Sequence, residues 1–334
     1  MSRSSATIRD VARVAGLSVA SVSRVLNGHE NVTPETREKV VAAMRALHYS
    51  PHAGARSLST ARNHALGVVL PGIYGEFFSE LIRGMEGAAQ ARGYVLLLSS
   101  MHADPVLARQ AMAAMRGRVD GLVVMAPQLD AEEREAVLPP SLPAVLLNSP
   151  EAGEHAALQV DNAGGIRAVV AHLLAGGRRA IVHLAGPEAN VDAQERAQAY
   201  RTAMSELAPD LPQRMIHGDF REESGMEAMR SLMAEGLPID AVVAGNDMMA
   251  LGALQVLRDA GLAVPGQIAV TGFDDVPVAR FVDLTTVRVD IAAMGAGAID
   301  TLVALLDPTA PKAAPAVTLC ETHLVERGTS RPAR

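Results

Sequence analysis

The chain has one cysteine, Cys320, no tryptophan, and only 3% aromatic residues among its 334. A single thiol cannot close an intrachain disulfide, which excludes a disulfide-stapled scaffold and agrees with a reducing compartment. One cysteine and ten scattered histidines show no zinc-ligand spacing, so no metal or other cofactor is expected. No apolar run is long enough to cross a bilayer, and MSRSSATIRD lacks the apolar stretch of a secretory signal. The chain is therefore expected to be cytoplasmic and nucleoid-associated, with no membrane partner. Two enzyme signatures are also missing. No G-x-G-x-x-G follows the first apolar run, where Pro71-Gly72-Ile73 stands instead, and there is no P-loop.

What is present is uneven in charge. The whole chain carries a formal net charge of -7, which taken alone argues against nucleic acid. Residues 1–62 hold nine Lys/Arg against four acids, leaving the remainder at −12. A basic head on an acidic body suits one segment that binds phosphates.

Residues 7–49 read as helices only. Thr7 caps a first helix carrying Ile8, Val11, Ala12 and Ala15, which Gly16 ends. A second starts at Ser18, with Val19, Val22, Val25 and Leu26 on helical spacing, and stops at Asn27-Gly28. A third has Thr33 as N-cap and Pro34 at its first position, turns Val40, Val41, Met44 and Leu47 inward, and ends near Tyr49. Ala12 permits close crossing of the first two helices and Gly16 a tight turn between them. Ser18, Val19, Ala20, Ser21, Ser23 and Arg24 are then left on an exposed face. Small side chains there let a helix sit deep in a major groove: Val19 and Ala20 suit thymine methyls, and Arg24 suits a guanine or a phosphate. A small structural bundle with no partner is the alternative, and the basic surplus favours DNA.

From Ala65 the pattern becomes strands alternating with helices. Apolar runs fall at 66–70, 94–98, 121–125, 144–147, 180–184, 215–217, 241–244 and 268–271, with amphipathic stretches between them such as 78–89. This alternation predicts parallel sheets covered by helices, and the number of units favours two Rossmann-like subdomains over a single closed barrel. The Ala/Pro-rich residues 308–316 read as a loop. Ligands of open α/β folds sit beyond the carboxyl ends of strands. That places Phe77, Phe78, Asn148, Asp161, Arg196, Phe220, Asn246 and Asp274 as candidates, together with Asp247 and Asp275. Aromatic rings with carboxylates, amides and an arginine suit a polyhydroxylated ligand. Structural readings stand beside these: Asp161 and Asp247 as helix caps, Phe77 as core, Asp275 as an exposed turn residue.

The segment TIRDVARVAGLSVASVSRVLNGHENVTPETREKVVAAMRALHYSPHAGARSL closely resembles the DNA-binding head of the LacI/GalR family of bacterial transcriptional regulators. The resemblance extends over essentially the whole chain, since the family's second part is a periplasmic-binding-protein-like core of two subdomains. It implies a head over 1–50, a hinge helix and linker over 51–64, and an effector-binding and dimerisation core over 65–334. Within the core it implies one subdomain at about 65–161 plus 291–320 and another at about 162–290 plus 321–334. By the same similarity Val19 and Ala20 are the main base-reading pair, with Ser18, Ser21, Ser23, Arg24 and Asn27 beside them. Thr7, Asn31, Thr36 and Tyr49 resemble backbone-positioning residues. Leu58, within Ala55-Arg56-Ser57-Leu58, stands where the family inserts a leucine into the minor groove. His52 and Gly54 depart from the usual hinge pattern. Arg196 and Asp274 match the family's principal effector pair, and Asn246 a further contact.

The expected function is thus that of a homodimeric repressor of a carbohydrate-utilisation operon, released from double-stranded operator DNA by a sugar-type effector. A purine- or nucleoside-responsive, co-repressed regulator is one alternative, because purines also stack on phenylalanines. A cytoplasmic sugar-binding protein or an enzyme on the same fold is another, and no catalytic residue is expected.

Overall fold

The computed structural model describes residues 6–26, 31–49, 62–101, 104–127, 129, 131–140, 142–149, 152–309 and 316–331. The chain divides into two compact units, Met1–His64 and Ala65–Arg334.

The first unit is helical: α1 is Ile8–Ala15, α2 Val19–Leu26 and α3 Pro34–Ala46. Each boundary has a local cause. The Thr7 side chain accepts from the Asp10 amide while Asp10 answers the Thr7 amide, a reciprocal capping box. Gly16 ends α1 with φ 65°, a left-handed turn that costs glycine little. Thr33 caps α3 and Pro34 opens it. The core is small: Val11, Ala12, Val22, Val25, Val40 and Ala43. Val41, expected inward, is 37% exposed, because the buried stripe of α3 runs through Val40 and Ala43.

Among the described residues the second unit holds two six-stranded sheets, an arrangement distinct from a single closed barrel. Its elements in chain order are β1 Ala65–Leu70, α4 Glu76–Ala91, β2 Val95–Ser100, α5 Pro105–Met115, β3 Gly121–Met125, α6 Ala131–Val137, β4 Ala144–Leu147 and β5 Ala156–Val160. Then come α7 Asn162–Ala175, β6 Ile181–Ala185, α8 Val191–Leu207, β7 Arg214–His217, α9 Glu222–Ala234, β8 Ala241–Ala244, α10 Asp247–Asp259 and β9 Ala269–Asp274. The chain closes with β10 Thr285–Val289, α11 Ile291–Leu306, β11 Val317–Cys320 and β12 Thr322–Val325. The sheet orders are β11-β5-β4-β3-β1-β2 and β12-β10-β9-β8-β6-β7, and every pairing is parallel except β10 with β12.

Buried parallel strands read as unbroken apolar runs, and β1, β3, β4 and β8 are buried along their whole length. Four strands escape that signal. Ala156–Val160, Thr285–Val289, Val317–Cys320 and Thr322–Val325 are short and carry Gln159, Arg288, Thr318 and His323, and β11 and β12 lie at sheet edges.

Three crossings join the two sheets: β5 into α7, β10 into α11, and β11 into β12. Two of them are stitched together, since the Asp161 amide donates to the Cys320 carbonyl (3.0 Å) and Thr322 Oγ1 to the Asp161 carbonyl (3.0 Å). Helix crossings are tight where glycine permits it. A Cβ on Gly84 would lie 2.0 Å from the Ala292 carbonyl oxygen, where α4 meets α11. In each sheet the strand order reverses beside its first strand, at β1 and at β6, which leaves a crevice at the carboxyl ends.

Candidate functional site

In the helical unit, Val22 and Val25 lie inside and lock α2 onto its neighbours. The opposite face of α2 is made of small residues. Ser18 and Ala20 are exposed, Val19 is 43% exposed, Ser21 and Ser23 are half-buried, and Arg24 is exposed. Ser18 holds the start of the helix, its Oγ accepting from the Ser21 amide (3.0 Å) and standing 2.9 Å from Ser21 Oγ. The other head candidates sit at element boundaries. Thr7 caps α1, Thr36 Oγ1 lies 2.9 Å from Thr33 Oγ1 in the first turn of α3, and Asn31 is exposed before it. Tyr49 packs half-buried against the head core just beyond α3. Asn27, Ala55, Arg56 and Leu58 lie outside the described residues. The result is a convex, small-residue ridge on a basic unit, a shape suited to a groove rather than to a small ligand.

In the α/β unit, a cleft of about 540 Å³ opens at the carboxyl ends of strands from both sheets. Phe77, Phe78, Asn148, Arg196, Phe220, Asn246 and Asp274 all line it. Arg196, 5% exposed, is its organising group. Its Nε donates to Asn162 Oδ1 (2.7 Å), Nη1 to the Gly245 carbonyl (2.6 Å) and Nη2 to Asp274 Oδ1 (3.4 Å). Its guanidinium lies over the Phe273 ring at 3.7 Å from the centroid and 5.8 Å from that of Phe220. A planar cation with this many fixed partners is oriented before any ligand arrives.

Three lining residues have left-handed backbone: Asn148 (φ 47°), Phe220 (φ 69°) and Asp274 (φ 108°). Such strain in non-glycine residues concentrates where a side chain must be aimed. Phe220 is held in that posture by Asn246, whose Nδ2 donates to its carbonyl (2.9 Å) while Oδ1 caps α10 at the Met249 amide (2.9 Å). Gly186 makes room for the ring, since a Cβ there would fall 2.3 Å from Phe220.

Buried acids surround Arg196. Burial pushes the Asp274 carboxyl up to about 7, against the pull of Arg196, so it changes charge at neutral pH. Burial also raises Asp192, whose oxygens accept from Asn148 Nδ2 and Asn162 Nδ2, both at 3.0 Å. Behind the cleft wall, burial and the neighbouring Asp274 hold Asp247 well above the ordinary carboxylate range. Asp247 accepts from Thr286 Oγ1 (2.5 Å) and the Val276 amide (2.8 Å). Among the described residues no cluster fits a metal ion, and no helix is long and apolar enough to cross a membrane.

Two candidates need correction and one choice resolves. Asp161 does not line the cleft. Its side chain caps α7 at the Gly164 amide (2.8 Å) and borders a separate groove with Glu195 and Gln198. Asp275 is not an exposed turn residue: its side chain is 5% exposed and pairs with Arg288 and Arg327, each at 2.6 Å. The α10 cap is Asn246 rather than Asp247. Phe77 serves two ends, lining the cleft while packing against the core. Asp192, Asn162 and Asn190 were missed by sequence reasoning. Asp192 sits in the first turn of α8, where an acid reads as a helix-dipole partner, and only its burial sets it apart.

Comparison with known proteins agrees with both halves. Residues 7–52 match the model for bacterial regulatory proteins of the lacI family, and residues 170–330 that for a periplasmic binding protein-like domain. The chain is 36% identical over 304 residues to the ribose operon repressor of Escherichia coli (strain K12), covering 89% of this chain and 92% of that one. It is 35% identical over 307 residues to the HTH-type transcriptional regulator GalR of the same organism, covering 90% of each. Among solved structures, the lac repressor dimer bound to operator and the anti-inducer ONPF superposes with a TM-score of 0.89 at 29% identity, over 98% of this chain and 99% of that one. These relatives are transcriptional regulators. With its helical head, its two-sheet cleft and a match along nearly its full length, the chain belongs to the lacI family of bacterial regulatory proteins.

Proposed function

We propose that this regulator is a homodimeric repressor that holds operator DNA through its head and lets go when a sugar-type effector fills the cleft. The head, 1–50, reads base edges with Val19 and Ala20, flanked by Ser18, Ser21, Ser23 and Arg24, while Thr7, Asn31, Thr36 and Tyr49 position it on the backbone. The segment 51–64 carries the hinge, and 65–334 carries effector binding and dimerisation. Arg196 and Asp274 are the principal effector contacts, with Asn148, Asn246, Phe77, Phe78 and Phe220 around them.

The observation that carries this reading is the Arg196 constellation in a cleft between two sheets, flanked by contacts that cross from one sheet's elements to the other's. Asn148, at the end of β4, donates to Asp192 on α8 (3.0 Å), and the Val278 amide donates to Glu76 Oε2 on α4 (2.9 Å). The Val191 amide also donates to the Pro127 carbonyl (3.1 Å). A ligand wedged among these contacts changes the relation of the two sheets. It alters DNA affinity by its differential affinity for the two arrangements, and the coupling is reciprocal. Two relatives support a sugar-type effector by their names: the ribose operon repressor, and a solved complex of the transcriptional regulator CelR with cellobiose, 30% identical with a TM-score of 0.72.

The test is a thermal-shift screen of the full chain against sugars, nucleobases and nucleosides. A ligand at 100 times its Kd stabilises the folded state by about 2.7 kcal/mol. Each hit is then added to the protein bound to a duplex selected from a random library. A sugar that both stabilises the protein and releases the duplex supports the reading. A purine that tightens duplex binding replaces it with co-repression.

A further inference from the structure

The cleft has a pronounced charge asymmetry that bears on the class of effector, granted that the cleft is the effector site. Glu76, Asp192, Asp219, Glu222 and Asp274 line it, against only two cations among the described residues, Arg196 and Arg221. Both cations are already engaged. Arg221 pairs with Asp219 (2.8 Å), and Arg196 spreads its donors over Asn162, Gly245 and Asp274. The excess of acid does not rest on the two most buried carboxyls. With all groups ionised the lining carries −3. With Asp192 and Asp274, the two that burial raises, both protonated, it still carries −1.

The polar atoms left open point the same way. Asn148 is 4% exposed, its Nδ2 is committed to Asp192, and its Oδ1 is buried with no hydrogen-bond partner among the described residues. An orphaned acceptor of this kind calls for a donor from a ligand. Asn246 spends one N–H of its side-chain amide on the Phe220 carbonyl and its Oδ1 on the α10 cap. Aromatic faces complete the wall: the rings of Phe77 and Phe78 meet edge-to-face at 5.4 Å. An acceptor-rich, acidic cleft with apolar faces meets a ligand that brings hydrogen-bond donors on an apolar frame and no negative charge.

We infer that the cleft selects an uncharged, hydroxyl-rich ligand and rejects sugars carrying a phosphate or carboxylate. Hydroxyls donate to Asn148 Oδ1 and to the carboxylates, and the less polar face of the ring lies against the phenylalanines. A phosphate monoester meets a lining in which acids outnumber cations, and each lining cation already faces a carboxylate, Arg196 that of Asp274 and Arg221 that of Asp219.

The experiment is calorimetric titration of the full chain with matched pairs: ribose with ribose 5-phosphate, galactose with galactose 1-phosphate, glucose with glucose 6-phosphate, and adenosine with its 5′-monophosphate. The expected result is that a neutral member binds and its ester binds at least roughly tenfold more weakly, the order of one unfavourable charge pair at partly screened range. The ratio should shrink in a Glu76→Gln/Glu222→Gln double variant, whatever that variant does to each affinity alone. An ester that binds as tightly as its neutral partner, or more tightly, overturns the charge inference and leaves a sugar effector standing. Binding by none of the eight compounds overturns the inference for monosaccharides and nucleosides, and the thermal-shift screen decides the sugar reading separately.

Discussion

The two functional regions are built on opposite plans. On α2 the candidate DNA contacts are small, mostly exposed and outside the head's core, which rests on Val11, Val22, Val25 and Val40. In the cleft the polar candidate contacts are buried and held by fixed partners, Arg196 alone holding Asn162, Gly245 and Asp274. A surface that meets a polyanion needs shape and charge, which side chains can supply without supporting the fold. A cleft that discriminates among small molecules needs polar groups fixed in advance, and fixing them makes them part of the fold. Function and stability should therefore separate in the head and stay coupled in the cleft.

The sharpest way to break that comparison is Ala20→Asp. A carboxylate on the exposed face of α2 should lower affinity for a selected duplex by at least about 100-fold, since it sets a charge against phosphates and displaces a close base contact. Helicity and melting temperature should stay at wild-type values. Retained duplex binding in a gel-shift titration, or loss of the head's helicity, would undo the assignment of this face.

Arg196→Ala should show the coupled behaviour. Removing one partner from a buried, hydrogen-bonded ion pair costs about 3–5 kcal/mol. The second unit should melt earlier by that amount while duplex binding at low temperature persists and the ligand response disappears. A variant of undiminished stability would mean that the cleft is no more integral to the fold than the head's surface is.

How far these plans could be read from sequence follows from the same contrast. Head boundaries are local chemistry (Thr7, Gly16, Thr33, Pro34), so caps and turns announced them. Buried parallel strands announced themselves as apolar runs, and from them came the two-sheet architecture, the strand-end positions of Asn246 and Asp274, and the place of Arg196 near the start of the following helix. What stayed hidden depends on distant partners. Asp192 reads as an ordinary first-turn acid until Asn148 and Asn162, 44 and 30 residues away, are seen to hold it. Asp161 and Asp275 carry the same side chain at strand ends, yet one caps a helix and the other is enclosed by Arg288 and Arg327. Only tertiary packing tells them apart.

The third test concerns pH and the cleft's surroundings. His183, on β6, is fully buried and stacked on Tyr200; it bonds the Val243 carbonyl (2.8 Å), and burial lowers its pKa to about 4. A histidine held neutral in the fold contributes full stability above its unfolded value near 6.5 and loses it as pH falls towards 4. That window is worth about 3 kcal/mol, since one pKa unit is about 1.4 kcal/mol. Asp274 works in the opposite sense, because a raised carboxyl costs stability as pH climbs from about 4 to 7. The difference between wild-type and His183→Leu denaturant midpoints isolates the histidine and should narrow from pH 6.5 to pH 4. A constant difference would place the imidazole in contact with water.

The smallest expected effect tests the head where it should be most independent. Thr7 caps α1 and shares a reciprocal bond with Asp10, which the Thr7 hydroxyl and amide hold below the usual carboxylate range. Thr7→Ala removes one partner of an N-terminal amide and should cost about 1 kcal/mol. In a large unit that loss would be hard to see. Among the described residues the head's core is six buried side chains, so its own margin is narrow and the melting of α1–α3 should shift visibly while the α/β unit does not. Hydrogen exchange resolves the two, because faster exchange should be confined to residues 8–46. If amides of the α/β unit accelerate equally, the two units unfold as one, and the contrast between a separable surface and an integral cleft fails at its base.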